Sequence, residues 1–148
     1  MPDRPRDPAG RPLNARPRDE LGRPLPLGSV GVPRIDESVV LAPGDALEQA
    51  QRLLDSGRPF HAHEVLEGAW KQAPDAEREL WQGLAQLAVG LTHLLRGNTS
   101  GARTVLVRGR DHVQRHAADP PHGIDADGLV RWADEVLAGR HTHPPRLR

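Results

Sequence analysis

The chain has 148 residues, enough for one domain or one domain with a tail, and its 20 Lys+Arg balance 20 Asp+Glu, so bulk charge selects no partner. It contains no cysteine, which excludes disulfides and thiolate metal sites and fits a cytosolic protein. There is no N-terminal apolar run of signal-peptide length and no stretch approaching the ~20 apolar residues of a membrane span, so a cytoplasmic location with no membrane partner is expected.

Charge and proline are unevenly distributed. Residues 1–34 carry 7 basic and 4 acidic side chains, a net of +3, leaving a body of net −3, and they hold 8 of the 15 prolines. Proline lacks an amide donor and keeps its predecessor out of the α region, so residues 1–42 are expected to form an extended or disordered Pro/Arg-rich tail. Within it "RPRDPAGRPL" at 4–13 recurs as "RPRDELGRPL" at 16–25. This is either low-complexity drift in a linker or a tandem linear motif. In the second case Leu13, Leu21, Leu25 and Leu27 would anchor residues 1–34 on the body or on a protein partner, with arginines reading acidic groups.

From residue 43 to 138 the apolar pattern is helical. Pro43 suits a first turn, Leu47, Ala50, Gln51 and Leu54 share a face, and Gly57 is a stop. Pro59 opens a second helix over 59–72. A third, about 75–96, carries one stripe of Leu80, Leu84, Leu87, Leu91 and Leu94 and another of Trp81, Ala85, Ala88, Thr92 and Leu95, the pattern of a central helix. Gly97 and one of Asn98, Thr99 or Ser100 supply a stop and a new cap, so the fourth helix, about 100–117, turns back antiparallel. A fifth, about 125–138, carries Leu129, Trp132, Val136 and Leu137, and residues 139–148 are expected to fray. No segment alternates with period two. The fold class is therefore all-α: a compact antiparallel array of about five helices behind the tail.

Polar residues on inward faces mark the candidate site. "FHAHEVLEGAWK" at 60–71 places Phe60, His63, Glu67 and Trp70 on one stripe, with Glu64 on its flank. The third helix offers Gln82, Gln86 and His93, beside Gly83 and Gly90. A mid-helix glycine costs about 1 kcal/mol against alanine, so a close neighbouring backbone is expected there. The second helix is the expected neighbour, which would set His63, Glu64 and Glu67 opposite Gln82, Gln86 and His93.

Three chemistries fit such a cluster. A closed hydrogen-bond network would fix helix register and do no chemistry. A metal-free acid/base or small-molecule site would use His63, Glu64 and Glu67 as catalytic groups, with Gln82, Gln86, His93 and Trp70 binding. A divalent metal on His63, Glu67 and His93 is the third, and it is not favoured, because H-E-x-x-E puts a carboxylate where a zinc helix carries its second histidine. Arg103, Arg108, Arg110 and Arg115 give the fourth helix charge on several faces, which a solvated surface with Asp and Glu partners explains. Nucleic acid is not favoured, since the body is acidic and lacks aromatic platforms. "HTH" at 141–143 is a poor metal signal, and no phosphate loop, dinucleotide fingerprint or nucleophile elbow is present.

Three stretches in order resemble the DUF309 family, small helical proteins of unknown function. They are Phe60, His63, Glu64, Leu66, Glu67 and Trp70; then Gln82, Gly83, Gln86, Ala88 and His93; then Gly97, Asn98, Gly101 and Ala102. The likeness spans about residues 45–115, and the tail is similar to N-terminal extensions on actinobacterial members. The resemblance implies an all-α bundle with a shared polar cluster and supplies no reaction. Two functions stand side by side: a His/Glu/Gln site between the second and third helices, or a non-enzymatic interaction module whose cluster is structural and whose repeated tail binds a partner.

Overall fold

The structure, a computed structural model, describes residues 41–140 and 143–148. Five helices follow one another: α1 (Pro43–Asp55), α2 (Pro59–Gln72), α3 (Asp75–Leu95), α4 (Thr99–Gln114) and α5 (Ala126–Leu137), with a 3-10 turn at Pro121–Gly123. Among the described residues there is no strand. The tandem repeat and its four leucines lie outside the described residues, as do residues 141 and 142 of "HTH".

The helix ends are where local chemistry sets them. Pro43 and Pro59 sit in the first turns of α1 and α2. Gly57 and Gly97 leave α1 and α3 at φ 78° and 82°, a region a side chain resists. Asn98 and Asp125 cap α4 and α5, their side-chain oxygens accepting from the amides of Gly101 and Gly128 at 3.1 Å each.

Each helix packs chiefly on the next, α1 on α2, α2 on α3, α3 on α4 and α4 on α5. α3 is the centre. Leu80, Leu84, Leu87 and Leu91 are buried along one stripe, and Trp81, Ala85, Ala88 and Thr92 along the other. No helix among the described residues is long and apolar enough to cross a membrane.

Two expectations are corrected here. The glycine face of α3 receives α4, not α2. A Cβ on Gly83 would lie 3.0 Å from the Gly109 carbonyl oxygen, and one on Gly109 would lie 2.9 Å from the Gly83 carbonyl oxygen. The two backbones touch, and α2 occupies another face of α3.

The second correction concerns residues 139–148, expected to fray. Residues 143–148 are docked. Pro145 and Leu147 are buried, Leu147 to 2% exposure. The docking runs through main-chain hydrogen bonds to Gln51, Asp125 and Trp132, which leave no apolar periodicity to read.

The backbone contact makes a prediction. Gly109→Ala gains helix propensity of about 1 kcal/mol, yet it drives a methyl into the Gly83 carbonyl and Leu87, where overpacking typically costs 1–3 kcal/mol. A net loss of about 1 kcal/mol or more is expected in denaturant unfolding, against less than about 0.5 kcal/mol for Arg108→Ala on the exposed face of the same helix.

Candidate functional site

The face of α2 that enters the core is defined by Ala62, Val65 and Leu66, with His61 and Glu64 alongside at 1% and 5% exposure. The stripe of Phe60, His63, Glu67 and Trp70 lies beside that face and is half-buried. Trp70 packs from the edge against the hydrophobic core, while Phe60 lies against the rings of His61 and His63. Glu64 is the one candidate carboxylate truly inside. Neither it nor His61 is without an interaction partner.

On the half-buried stripe the side chains form a ladder. His63 Nε2 donates to Glu67 Oε2 at 3.0 Å, and Lys71 Nζ lies 3.5 Å from Glu67 Oε1. All three residues are four apart on one helix, so the ladder is local to α2. The ring of Phe60 packs on His63 with centroids 5.7 Å apart. The other ring nitrogen, His63 Nδ1, is buried and makes no hydrogen bond. The hydrogen bond from His63, aided by the charges of His63 and Lys71, holds the Glu67 carboxyl below its ordinary 4.5 despite the opposing effect of burial.

The α3 residues go elsewhere. Gln86 reaches α4, where its Oε1 accepts from His112 Nδ1 at 2.7 Å. That bond lies beside the Gly83–Gly109 contact and closes the α3/α4 seam. His93, near the C-terminal end of α3, accepts through Nδ1 from Asn98 Nδ2 at 3.2 Å, the same Asn98 that caps α4. Gln82 is half-buried. Of the six residues expected to meet, His63 thus pairs with Glu67, Gln86 with His112 and His93 with Asn98. Among the described residues no group of three or more His, Asp or Glu side chains is placed to hold a metal ion, and His63, Glu67 and His93 are not brought together.

The sequence reading passed over several polar groups. His61 is buried on the α2 face, and its place beside Ala62 and one turn before Val65 was the available signal. His112 is the actual partner of Gln86. Arg58, just before α2, has its Nε buried without a hydrogen bond. A further pair joins the start of α3 to the linker before α5. Glu77 Oε1 accepts from His122 Nε2 at 2.7 Å and from Trp81 Nε1 at 3.3 Å. Burial opposes the Glu77 charge, but these two donors outweigh it and keep the carboxyl below 4.5. The α4 arginines are mostly engaged. Arg110 forks onto Asp134 of α5 at 2.6 and 3.4 Å, Arg115 meets Glu79 at 3.2 Å, and Arg103 donates to the Leu137 carbonyl at 3.1 Å.

Residues 47–105 match the model of a domain of unknown function, DUF309. The DUF309 match takes in the whole α2 stripe, Gln82, Gln86 and His93, and the Asn98 cap; it stops short of His112 and of residues 143–148. Over 79 residues the chain is 37% identical to the uncharacterized protein YpuF of Bacillus subtilis (strain 168), a stretch covering 52% of this chain and 45% of YpuF. The chain thus spans under half the length of that relative. No solved structure matches it.

The Glu67 ladder has a pH signature. A carboxyl held below 4.5 adds stability that is fully present above that value and is lost as pH falls through the folded-state pKa. Glu67→Gln is therefore expected to cost about 0.5 kcal/mol at neutral pH, the size of exposed i,i+4 pairs. The gap between the two proteins should close progressively below about pH 4.5 in unfolding curves taken across pH.

Proposed function

We propose that the protein is a non-enzymatic, cytoplasmic interaction module, which binds a protein partner through the half-buried stripe of α2. One observation carries this reading. In His63, Nε2 is committed to Glu67 and Nδ1 is shut off from solvent, so neither ring nitrogen is presented for proton transfer or metal binding. The pairing of Gln86 with His112 and of His93 with Asn98 supports the same reading, since both bonds serve the α3/α4 seam and its turn. The polar residues then act in register and packing.

The stripe itself has the make-up of a contact surface. Phe60 and Trp70 are both partly exposed and stand ten residues apart on one helix, about 15 Å along its axis. Between them run His63 and Glu67, with Lys71 beyond. Rigid aromatic anchors around a short charged ladder suit recognition of a protein surface, where Trp and other large side chains carry most of the binding energy. The Pro/Arg-rich residues 1–34, with their repeated motif, are a second contact in this reading. The cysteine-free composition supports the cytoplasmic placement.

Affinity capture with the full chain tests the proposal. A partner retained by the wild type should be weakened by about 30-fold in Trp70→Ala, the scale of a hot-spot loss of ~2 kcal/mol, and kept by Gln86→Ala, which alters only the α3/α4 seam. Circular dichroism must show both variants folded. Equal capture by Trp70→Ala and wild type would overturn the reading, as would one equivalent of Zn²⁺ on untagged protein that disappears in His63→Ala.

A further inference from the structure

Residues 143–148 are held in the manner of a bound peptide. Gln51 of α1 donates from Nε2 to the Pro145 carbonyl at 2.9 Å and accepts at Oε1 from the Leu147 amide at 2.8 Å. The Asp125 amide donates to the Leu147 carbonyl at 2.9 Å, and Trp132 Nε1 of α5 donates to the His143 carbonyl at 2.7 Å. All four bonds read main chain. The side chains alternate as in a strand, with Pro145 and Leu147 buried and Arg146 outward against Asp55 at 3.3 Å.

The seat is open on both sides. A cleft of about 300 Å³ lies on the α1 side, where Asp55 meets Arg146 and Glu48 lies 3.8 Å from Arg52. Another of about 440 Å³ lies on the α5 side, lined by Asp125, Arg131 and Glu135. Main-chain hydrogen bonds for affinity, with pockets for alternate side chains, are how grooves recognise extended peptides. Carboxylates beside the outward position favour a basic residue there.

We propose that the groove between α1 and α5 recognises an extended Pro-Arg-aliphatic segment of a partner protein, and that residues 143–148 fill it as an internal ligand which the partner segment replaces. The groove is separate from the α2 stripe, so either proposal can fail alone.

The test uses the full chain carrying Leu147→Asp, which sets a charge where leucine is buried and so releases the segment. A fluorescein-labelled peptide with the wild-type sequence of residues 143–148 is titrated and followed by anisotropy. Saturable binding is expected. It should weaken by about tenfold or more when Gln51→Ala is added, since two main-chain hydrogen bonds are lost, and likewise toward the wild type, whose own segment competes. Should Leu147→Asp fail to fold by circular dichroism, Pro145→Gly with Arg146→Asp loosens the segment and keeps the buried leucine, and the same titration decides. Absence of saturable binding to a folded variant overturns the proposal, as does binding indifferent to Gln51→Ala. Sedimentation showing a dimer formed by segment exchange in place of peptide binding overturns it too, assigning the groove to a second copy.

Discussion

α3 and α4 meet backbone to backbone at Gly83 and Gly109, and the placement of the other polar groups follows from that contact. Removing two side chains lets the helices approach until a carbonyl of each fills the space a methyl of the other would need. The approach brings Gln86 within reach of His112 and leaves Leu87 and Leu106 packed about the seam. It also commits that face of α3. α2 also packs on α3, but the glycine face is taken by α4. Two absent side chains thus fix which helix lies beside Gln86.

Much of the architecture was legible. The leucine stripes of α3, Pro59 at the head of α2 and Gly97 with Asn98 between α3 and α4 each carry a signal within a few residues, and periodicity and capping read such signals directly. Gly83 does mark a close backbone approach, while Gly90 makes room for the Leu106 side chain. Which helix makes it was not readable, because a helix's own period says which face is special and never names its neighbour. The α2 stripe misled for a related reason. Trp70 does pack on the core, but Phe60 is only half-buried against two histidine rings, and Ala62, Val65 and Leu66 define the centre of the buried face.

The polar groups of α2 now fall into two kinds with different costs. His63, Glu67 and Lys71 sit where water still reaches, so their pairing contributes little to stability. Glu64 and His61 sit inside, where ionic groups are expensive and any change of partner is felt strongly. The proposed contact role of α2 uses the inexpensive outer polarity and leaves the expensive inner polarity undisturbed. The outer face can vary its contacts while the inner face keeps the helix in register.

An array in which each helix packs chiefly on its successor has weakly covered ends, since α1 lies mainly on α2 and α5 mainly on α4. Arg110 on Asp134 and Arg103 on the Leu137 carbonyl tie α5 to α4 from the surface. Residues 143–148 join α5 to α1 through main-chain bonds on both sides, and this accounts for a polar residue on the inner face of α1. A non-helical segment lying on a helix brings amides and carbonyls that must be paired when buried, and no aliphatic side chain can pair them. Gln51 carries donor and acceptor on the same planar group, so it meets a carbonyl and an amide of the crossing chain at once while Nε2 also donates to Asp55 Oδ1 at 2.9 Å. Its position on the stripe with Leu47 and Leu54 is therefore a requirement of closure, and the chemistry that closes the array is also the chemistry that would read another extended chain.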